Sequence, residues 1–467
     1  MNGVLTLLAL IICGLIVFAV PALVVPFTDQ YGPVTFVDTS KAVLLCAALA
    51  TIAGFIFYRN SINGSFLLKL FISALLVRML LGTVIFAFNG QEFFGGDAVT
   101  YDFFGYAQLE GWSGDKYHQA AVNRFVASGI GWGMVYMVAA IYGVIGRNML
   151  AIQLVNSVLG AATAVIIFLS ALEVFSNTRV ARLAGFAVAF YPSLVLWSSQ
   201  GLKDGPIVFF LALSILATLK LGRQLSFKYL VILVGSLFAL LSFRFYVFYM
   251  IAMAVGGAFI VGLQPLTQKS FARQLVVIVF VGLTLTYLGV TRYANVQLER
   301  FGSLERVQRS RRDASTRAQS GFAPDVDVST TQGALTTIPI GLLNLLFAPF
   351  PWQLASLRQS ITLPEMVIWW TSFPMLILGL WFSVKYRLRQ ISPILIFTIM
   401  LSLAYSVFQG NVGTAYRQRA QLLVFYFIFV AVGYVLLFEK REERKRQELA
   451  AKEALANRLA TSTASRR

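Results

Sequence analysis

Charge is what this sequence has least of. Asp, Glu, Lys and Arg make up 12% of its 467 residues, about half the share found in ordinary soluble domains. Hydrophobic residues make up 58%, so a soluble fold would have too little polar surface to cover its core. Histidine is scarcer still, and the single one, His118, excludes His-rich metal sites. The two cysteines, Cys13 and Cys46, both sit inside apolar runs, which excludes a disulfide framework. Acidic residues are also few, 20 against 38 Lys and Arg, leaving a formal charge of +18. That excess does not point to nucleic acid. Its basic residues fall mostly in short clusters between apolar runs, the positive-inside pattern of membrane loops.

What the chain has in abundance is long apolar sequence. A spanning helix takes about 20 mostly apolar residues, and such runs begin near Leu5, Ala42, Phe66, Met149, Leu183, Pro206, Tyr229, Val247, Leu275, Leu363, Ser392 and Leu422. The expected fold is an all-α polytopic membrane protein with about 12 transmembrane helices. The first run has no charged segment before it and no small-residue cleavage site after it, which reads as a retained helix. A further apolar stretch, 131–145, is short and decides the sidedness of its neighbours. If it lies in the interface, the basic linkers at Arg59, Arg179/Arg182, Lys220/Arg223/Lys228, Lys269/Arg273 and Lys385/Arg387/Arg389 share one side with the tail from Glu439. Both termini are then cytoplasmic, in an inner (plasma) membrane. Residues 1–438 form a single transmembrane domain, and 439–467 a basic cytoplasmic helical tail. Two long outer segments remain, 89–148 and 291–362. Both hold apolar stretches too short to span, so interfacial helices are expected; in 335–350, Pro339 and Pro349, with Pro351 just beyond, break any long helix.

The outer face gathers the residues able to do chemistry. The first outer segment carries Gly95-Gly96-Asp97-Ala98-Val99-Thr100-Tyr101-Asp102, which sets Asp97 and Asp102 at the membrane–water boundary beside glycines that permit a tight turn. Asp97 is a candidate general base or divalent-metal ligand, or a cap for the helix that follows. A second turn, Gly201-Leu202-Lys203-Asp204-Gly205-Pro206, offers Lys203 and Asp204 as a phosphate and metal pair. Asp204 also suits an N-cap ahead of Pro206, but a lysine is disfavoured in a short outer turn. Arg244, Arg417 and Arg419 add cations on the side that usually lacks them, and guanidinium groups recognise phosphate oxygens bidentately. The series Arg292 to Arg317 is weaker evidence, because long loops ignore the positive-inside rule. Arg78 stands mid-helix, where a cation costs at least about 2.5–3.5 kcal/mol, so it must face protein or water.

The order of these blocks resembles bacterial integral-membrane glycosyltransferases of the GT-C fold, of the family 39-like type that includes protein mannosyltransferases and aminoarabinose transferases. The blocks are Asp97 followed by Tyr101 and an interfacial helix, then 156–175 and 179–200 around a basic turn, then Leu202-Lys203-Asp204. The resemblance implies a polyprenyl-phosphate sugar donor and transfer to a glycan, lipid or protein at the outer face of the membrane. It also implies Asp97 as the first-loop catalytic carboxylate, with Lys203 and Asp204 in the second outer loop. Asp102 joins Asp97 and Asp204 as a candidate catalytic carboxylate. Lys203, Arg244, Arg417, Arg419, Tyr101 and Arg78 are candidates for holding substrate or lipid phosphate. A divalent Mg or Mn ion on Asp97 and Asp204 is a further expectation. Two other readings stand beside this one: an O-antigen or exopolysaccharide polymerase or ligase, and a transporter or flippase for a lipid-linked anion. The second has little support, as the two halves show no internal repeat.

Overall fold

The computed structural model describes Ala19 and residues 35–464, apart from 61–62, 89, 95, 128–130, 264–266, 291, 294–295, 298–301, 318–319, 324 and 355–356. The apolar run from Leu5, with Cys13, lies outside the described residues. Among those residues the chain is helical throughout, and its only β contact is an isolated bridge between Gly321 and Asn411.

α1 (Phe36–Tyr58) starts at a capping box. The Thr35 hydroxyl accepts from the Asp38 backbone N–H, and the Asp38 carboxylate accepts from that of Thr35. α2 (Gly64–Ala87) returns antiparallel to it. The segment 89–148 holds α3 (Gly90–Phe94), α4 (Asp97–Trp112), α5 (Lys116–Phe125) and α6 (Gly133–Ile145). α7 (Met149–Phe175) follows, capped by Asn148, whose side chain accepts from the Ala151 N–H. Next come α8 (Thr178–Phe190) and α9 (Pro192–Ser198), bent by 56° where Pro192 opens a new helix. α10 (Asp204–Arg223), α11 (Phe227–Phe243), α12 (Phe245–Val261) and α13 (Gln268–Tyr287) complete the first part of the bundle. α14 (Leu304–Arg317) and α15 (Thr331–Phe347) belong to the segment 291–362, and α16 (Leu357–Phe408), α17 (Val412–Gln418) and α18 (Ala420–Ala464) follow.

Among the described residues seven helices are long and apolar enough to cross a membrane, or up to eight if the bent pair α8–α9 counts as one span. This supports a polytopic membrane protein, and the count is lower than the eleven apolar runs that fall among the described residues. One reason is length: α11 and α12 have 17 residues each, about 26 Å at 1.5 Å per residue, short of a hydrocarbon core of about 30 Å. Another is fusion. The runs from Leu363 and Ser392 share α16, which leaves helical geometry at Arg387 (φ −135°, ψ 20°), inside the basic cluster read as a linker. The two arms of α16 both pack on α18. A Cβ on Gly379 would lie 1.8 Å from Phe429 O, and one on Gly433 would lie 2.1 Å from Met375 O, so only glycine permits the backbones to meet this closely. Pro339 does not break its helix, because α15 runs through it and stops at Phe347, ahead of Pro349.

The contacts sort the bundle into two ends. At one, the tail meets α8 through Arg179 and Glu442 (3.4 Å), and Glu173 of α7 meets Lys220 and Arg223 of α10. Arg273 of α13 donates to Gly222 O and Arg223 O at the same end. At the other end lie the turns 199–203 and 243–245 and the segment 89–148. Both ends of α6 are here: Gly131 abuts the backbone of Ser242 and Phe243, and Asn148 donates to Asp38 O (2.7 Å). With 13 residues packed along α4, α6 does not traverse the bundle.

Candidate functional site

The turn after α9 is wedged between α2 and α7 at positions where side chains are missing. A Cβ on Gly82 would stand 2.8 Å from Ser199 O, and one on Gly160 would stand 2.5 Å from the Ser198 Cβ. Asn156, an amide in the spanning helix α7, donates to Gln200 O (2.7 Å) and Leu202 O (2.8 Å) and so fixes the turn. The chain then delivers Lys203 as the N-cap residue of α10 and Asp204 as its first helical residue, with no side-chain cap bond. Asp97 likewise opens α4 after Gly96 without any side-chain cap bond from that glycine. Both carboxylates reach for a guanidinium instead.

That guanidinium belongs to Arg417 on α17. Its Nε donates to Asp204 Oδ2 (2.6 Å) and its Nη1 to Asp97 Oδ2 (2.7 Å), with Nη2 2.5 Å from Asp204 Oδ2. Arg244, at the break between α11 and α12, places Nη2 3.6 Å from Asp204 Oδ1. The two acids differ in depth: the Asp204 side chain is 2% exposed and that of Asp97 53%. Burial works against the Arg417 charge, but Asp204 and then Asp97 outweigh it and raise its pKa. Arg244 is also buried, and its Nη1 has no hydrogen-bond partner. The Lys203 ammonium lies 5.8 Å from the Tyr101 ring centroid. Burial first, and the nearby Arg244 second, push the Lys203 amine down to about 7. Burial and the Asp97 charge raise the Tyr101 phenol above its usual value, so it stays protonated.

These groups line a cavity of about 880 Å³. Asp97, Tyr101, Lys203, Arg244 and Arg417 face it together with Trp197 and Tyr416. Uncharged polar groups join them from later in the chain: Ser320, Gln359, Thr362, Asn411, Thr414 and Gln418. The segment 291–362 is stitched to this rim by Ser320 Oγ donating to Asn411 Oδ1 (2.7 Å) and the Val412 N–H donating to Ser320 O (2.9 Å). Asp97, Tyr101, Lys203, Asp204, Arg244 and Arg417 are therefore brought together across 320 residues of sequence.

The structure places the remaining candidates elsewhere. Asp102 is buried on α4 against Arg147 Nη2 (2.5 Å) and the Tyr142 hydroxyl, where it ties α4 to the end of α6. Arg419 is fully buried and donates to Leu346 O (3.0 Å) and Ala348 O (3.1 Å), satisfying carbonyls at the end of α15. Arg78 donates to Ser198 Oγ (2.8 Å), Ala189 O (2.7 Å) and Val188 O (3.1 Å), so it stabilises the α8–α9 break through neutral oxygens. Arg311, within the outer series, is buried and donates to Ala323 O (3.0 Å). None of these four lines the large cavity.

The donor set does not fit a divalent ion. Among the described residues no three of His, Cys, Asp and Glu converge, and Asp204 is already faced by two guanidinium groups, which would repel a cation there. Sequence reasoning missed Trp197 and Asn156 as site-building residues. A polar amide inside an apolar run was the available signal for Asn156; Trp197 carried none. No family model, no curated protein and no solved structure matches this chain.

Proposed function

We propose that the chain is an integral-membrane glycosyltransferase moving a sugar from a polyprenyl-phosphate donor to a glycan, lipid or protein acceptor. On this reading it has about twelve crossings, with both termini cytoplasmic and the cavity at the outer face of the plasma membrane. The observation that carries the reading is Arg244, a buried guanidinium that lines the cavity and keeps Nη1 without a hydrogen-bond partner. A buried unmade charged hydrogen bond is costly, and a phosphate oxygen would complete it. Lys203 and Arg417 line the same space, so cations outnumber the carboxylates facing it.

The two depths of the acids then divide the labour. The donor phosphate takes Arg244, Lys203 and the arm of Arg417 that holds the half-exposed Asp97, whereas the arm on buried Asp204 stays. Asp97, released, accepts the proton of an acceptor hydroxyl as its oxygen attacks the anomeric carbon. The bond from that carbon to the phosphate oxygen breaks, and the polyprenyl phosphate leaves with the electron pair, its charge held by the three cations. Direct displacement inverts the anomeric centre.

Asp97→Asn should leave expression, folding and phosphate binding intact and lower transfer by at least about a hundredfold. Full transfer by that variant would remove Asp97 as the base. A polymerase or ligase is a second reading, favoured by Arg417 because this one residue touches both carboxylates. Loss of activity in Arg417→Lys with Asp97 dispensable would select it. Flux of a lipid-linked anion across proteoliposomes with no covalent product would select a transporter.

A further inference from the structure

Glu365 is a buried acid that the proposed reaction does not use. It is 4% exposed and lies near the start of α16, in the stretch of that helix apolar enough to cross a membrane. A carboxyl at such a place is costly and needs partners. Its partners are hydroxyls. The Tyr416 phenol donates to Glu365 Oε2 (2.8 Å), and the Ser193 and Tyr191 side chains stand beside the same carboxyl. All three are buried. One acid thus joins α16 to α17 and to the break between α8 and α9.

Both connections lead to the large cavity. Tyr416 lines it and directly precedes Arg417 in the seven residues of α17. Ser193 stands one turn before Trp197 on α9, and Trp197 lines the cavity too. The Trp197 and Tyr416 rings meet edge to face with centroids 6.3 Å apart, and the Arg417 guanidinium carbon lies 5.8 Å from the Trp197 centroid. A helix of two turns has too few internal hydrogen bonds to hold its own shape, so α17 takes its position from its anchors. At its start Asn411 caps it and accepts from Ser320 Oγ. Near its end the anchors are Tyr416, on Glu365, and Arg419, spent on carbonyls of α15. Arg417 lies between those two and has to reach Asp97 and Asp204 at once. We propose that Glu365 is a positioning residue: by accepting from Tyr416 it fixes the last turn of α17 and so holds Arg417 on both carboxylates. The positioning follows from packing and hydrogen bonds alone, whereas its service to phosphate binding rests on the proposed function.

The test is the rate at which phenylglyoxal, an arginine reagent, labels Arg417 in the full chain in detergent, read by mass spectrometry. The Arg417 side chain is 16% exposed, and its bonds to both acids slow the labelling. Arg147, held by Asp102 at the same end of the bundle, is the internal control. Glu365→Met keeps the bulk of the side chain and removes the acceptor. Tyr416→Phe keeps the ring and removes only the donor, and it tests the same bond if Glu365→Met fails to fold. Each should speed Arg417 labelling by about tenfold, the worth of one hydrogen bond to a charged group, with Arg147 unchanged. The double variant should be no faster than either single one, because all three lack the same bond. Glu365→Gln, whose amide oxygen still accepts, should keep the slow rate. Unchanged Arg417 labelling in both single variants overturns the proposal. So does a rise at Arg147 in step with Arg417, which would mark a loosened fold. Inorganic pyrophosphate separates this inference from the proposed function. If it fails to protect Arg417 in the wild-type chain while Glu365→Met still speeds labelling, the phosphate site falls and the positioning role stands.

Discussion

Two buried carboxylates, one at each end of the bundle, are each held by two cations, yet they are built for different work. At the tail end, Glu173 is 6% exposed and meets Lys220 Nζ at 2.5 Å and Arg223 Nε at 2.6 Å. Other donors there go to helix ends: Arg223 Nη2 to Glu173 O (2.6 Å), and Arg273 Nη1 and Nη2 to the last carbonyls of α10. Neither Lys220 nor Arg223 lines the large cavity. At the other end, Asp204 is as deeply buried, but its cations keep one side toward open space. Arg244 has an unpaired Nη1, and Arg417 spends an arm on a second, half-exposed acid. The difference shows what separates an ion pair that holds helices together from one able to take a ligand. In the first the donors go to a buried carboxylate and to helix-end carbonyls, with Arg273 Nε left over away from the large cavity, and in the second the unpaired donor faces that cavity.

The sharpest way to break this comparison is Arg417→Ala. It strips buried Asp204 of its nearest partner, which costs about 3–5 kcal/mol when one member of a buried pair is removed. Transfer should fall by more than about a thousandfold. Thermal unfolding in detergent and a transfer assay read the two effects. Glu173→Gln is the counterpart. It should cost about 1–3 kcal/mol of stability and leave transfer per folded molecule unchanged; a large drop in transfer would mean that the tail-end cluster is not merely structural.

The acidity of Lys203 sharpens the contrast further. With a folded pKa lowered to about 7, its amine is charged below that pH and neutral above it. The affinity for pyrophosphate should therefore fall by several-fold as pH rises from about 6 to about 8, the range over which that charge is lost. Lys203→Gln should flatten the profile. Titration calorimetry across this range checks the sign, and an affinity that rises with pH would refute it. The smallest effect is expected for Asp102→Asn, which weakens the Arg147 and Tyr142 contacts by about 1 kcal/mol and leaves transfer untouched.

The large features were legible in the sequence because each has a one-dimensional signal. Apolar runs mark α1, α2, α7, α10 and α18 as crossings, and the clustering of basic linkers placed Arg179, Arg223 and Arg273 at one end. Length sets the short stretch 131–145 apart from the longer apolar runs, and α6 begins and ends at one end of the bundle. Side-chain partners carry no such signal. Asp97 and Asp102 look equivalent in sequence, five residues apart at one boundary, but that spacing turns them to different faces of α4. Arg417 and Arg419 look equally suited to phosphate, yet one faces the cavity and the other caps α15 from within the core. The seam between α16 and α18 was hidden as well, because Gly379 and Gly433 reveal close approach only once the helices are paired.

Native mass spectrometry of the purified chain tests the central claim most directly. The outer-end cluster is read as a phosphate site open to a membrane lipid, so the wild-type protein should retain a polyprenyl phosphate. Arg244→Gln, which removes the donor left unpaired at the cavity wall, should lose it, while Glu173→Gln should keep it. Retention of ordinary phospholipid alone, or equal polyprenyl phosphate in all three proteins, would contradict the account.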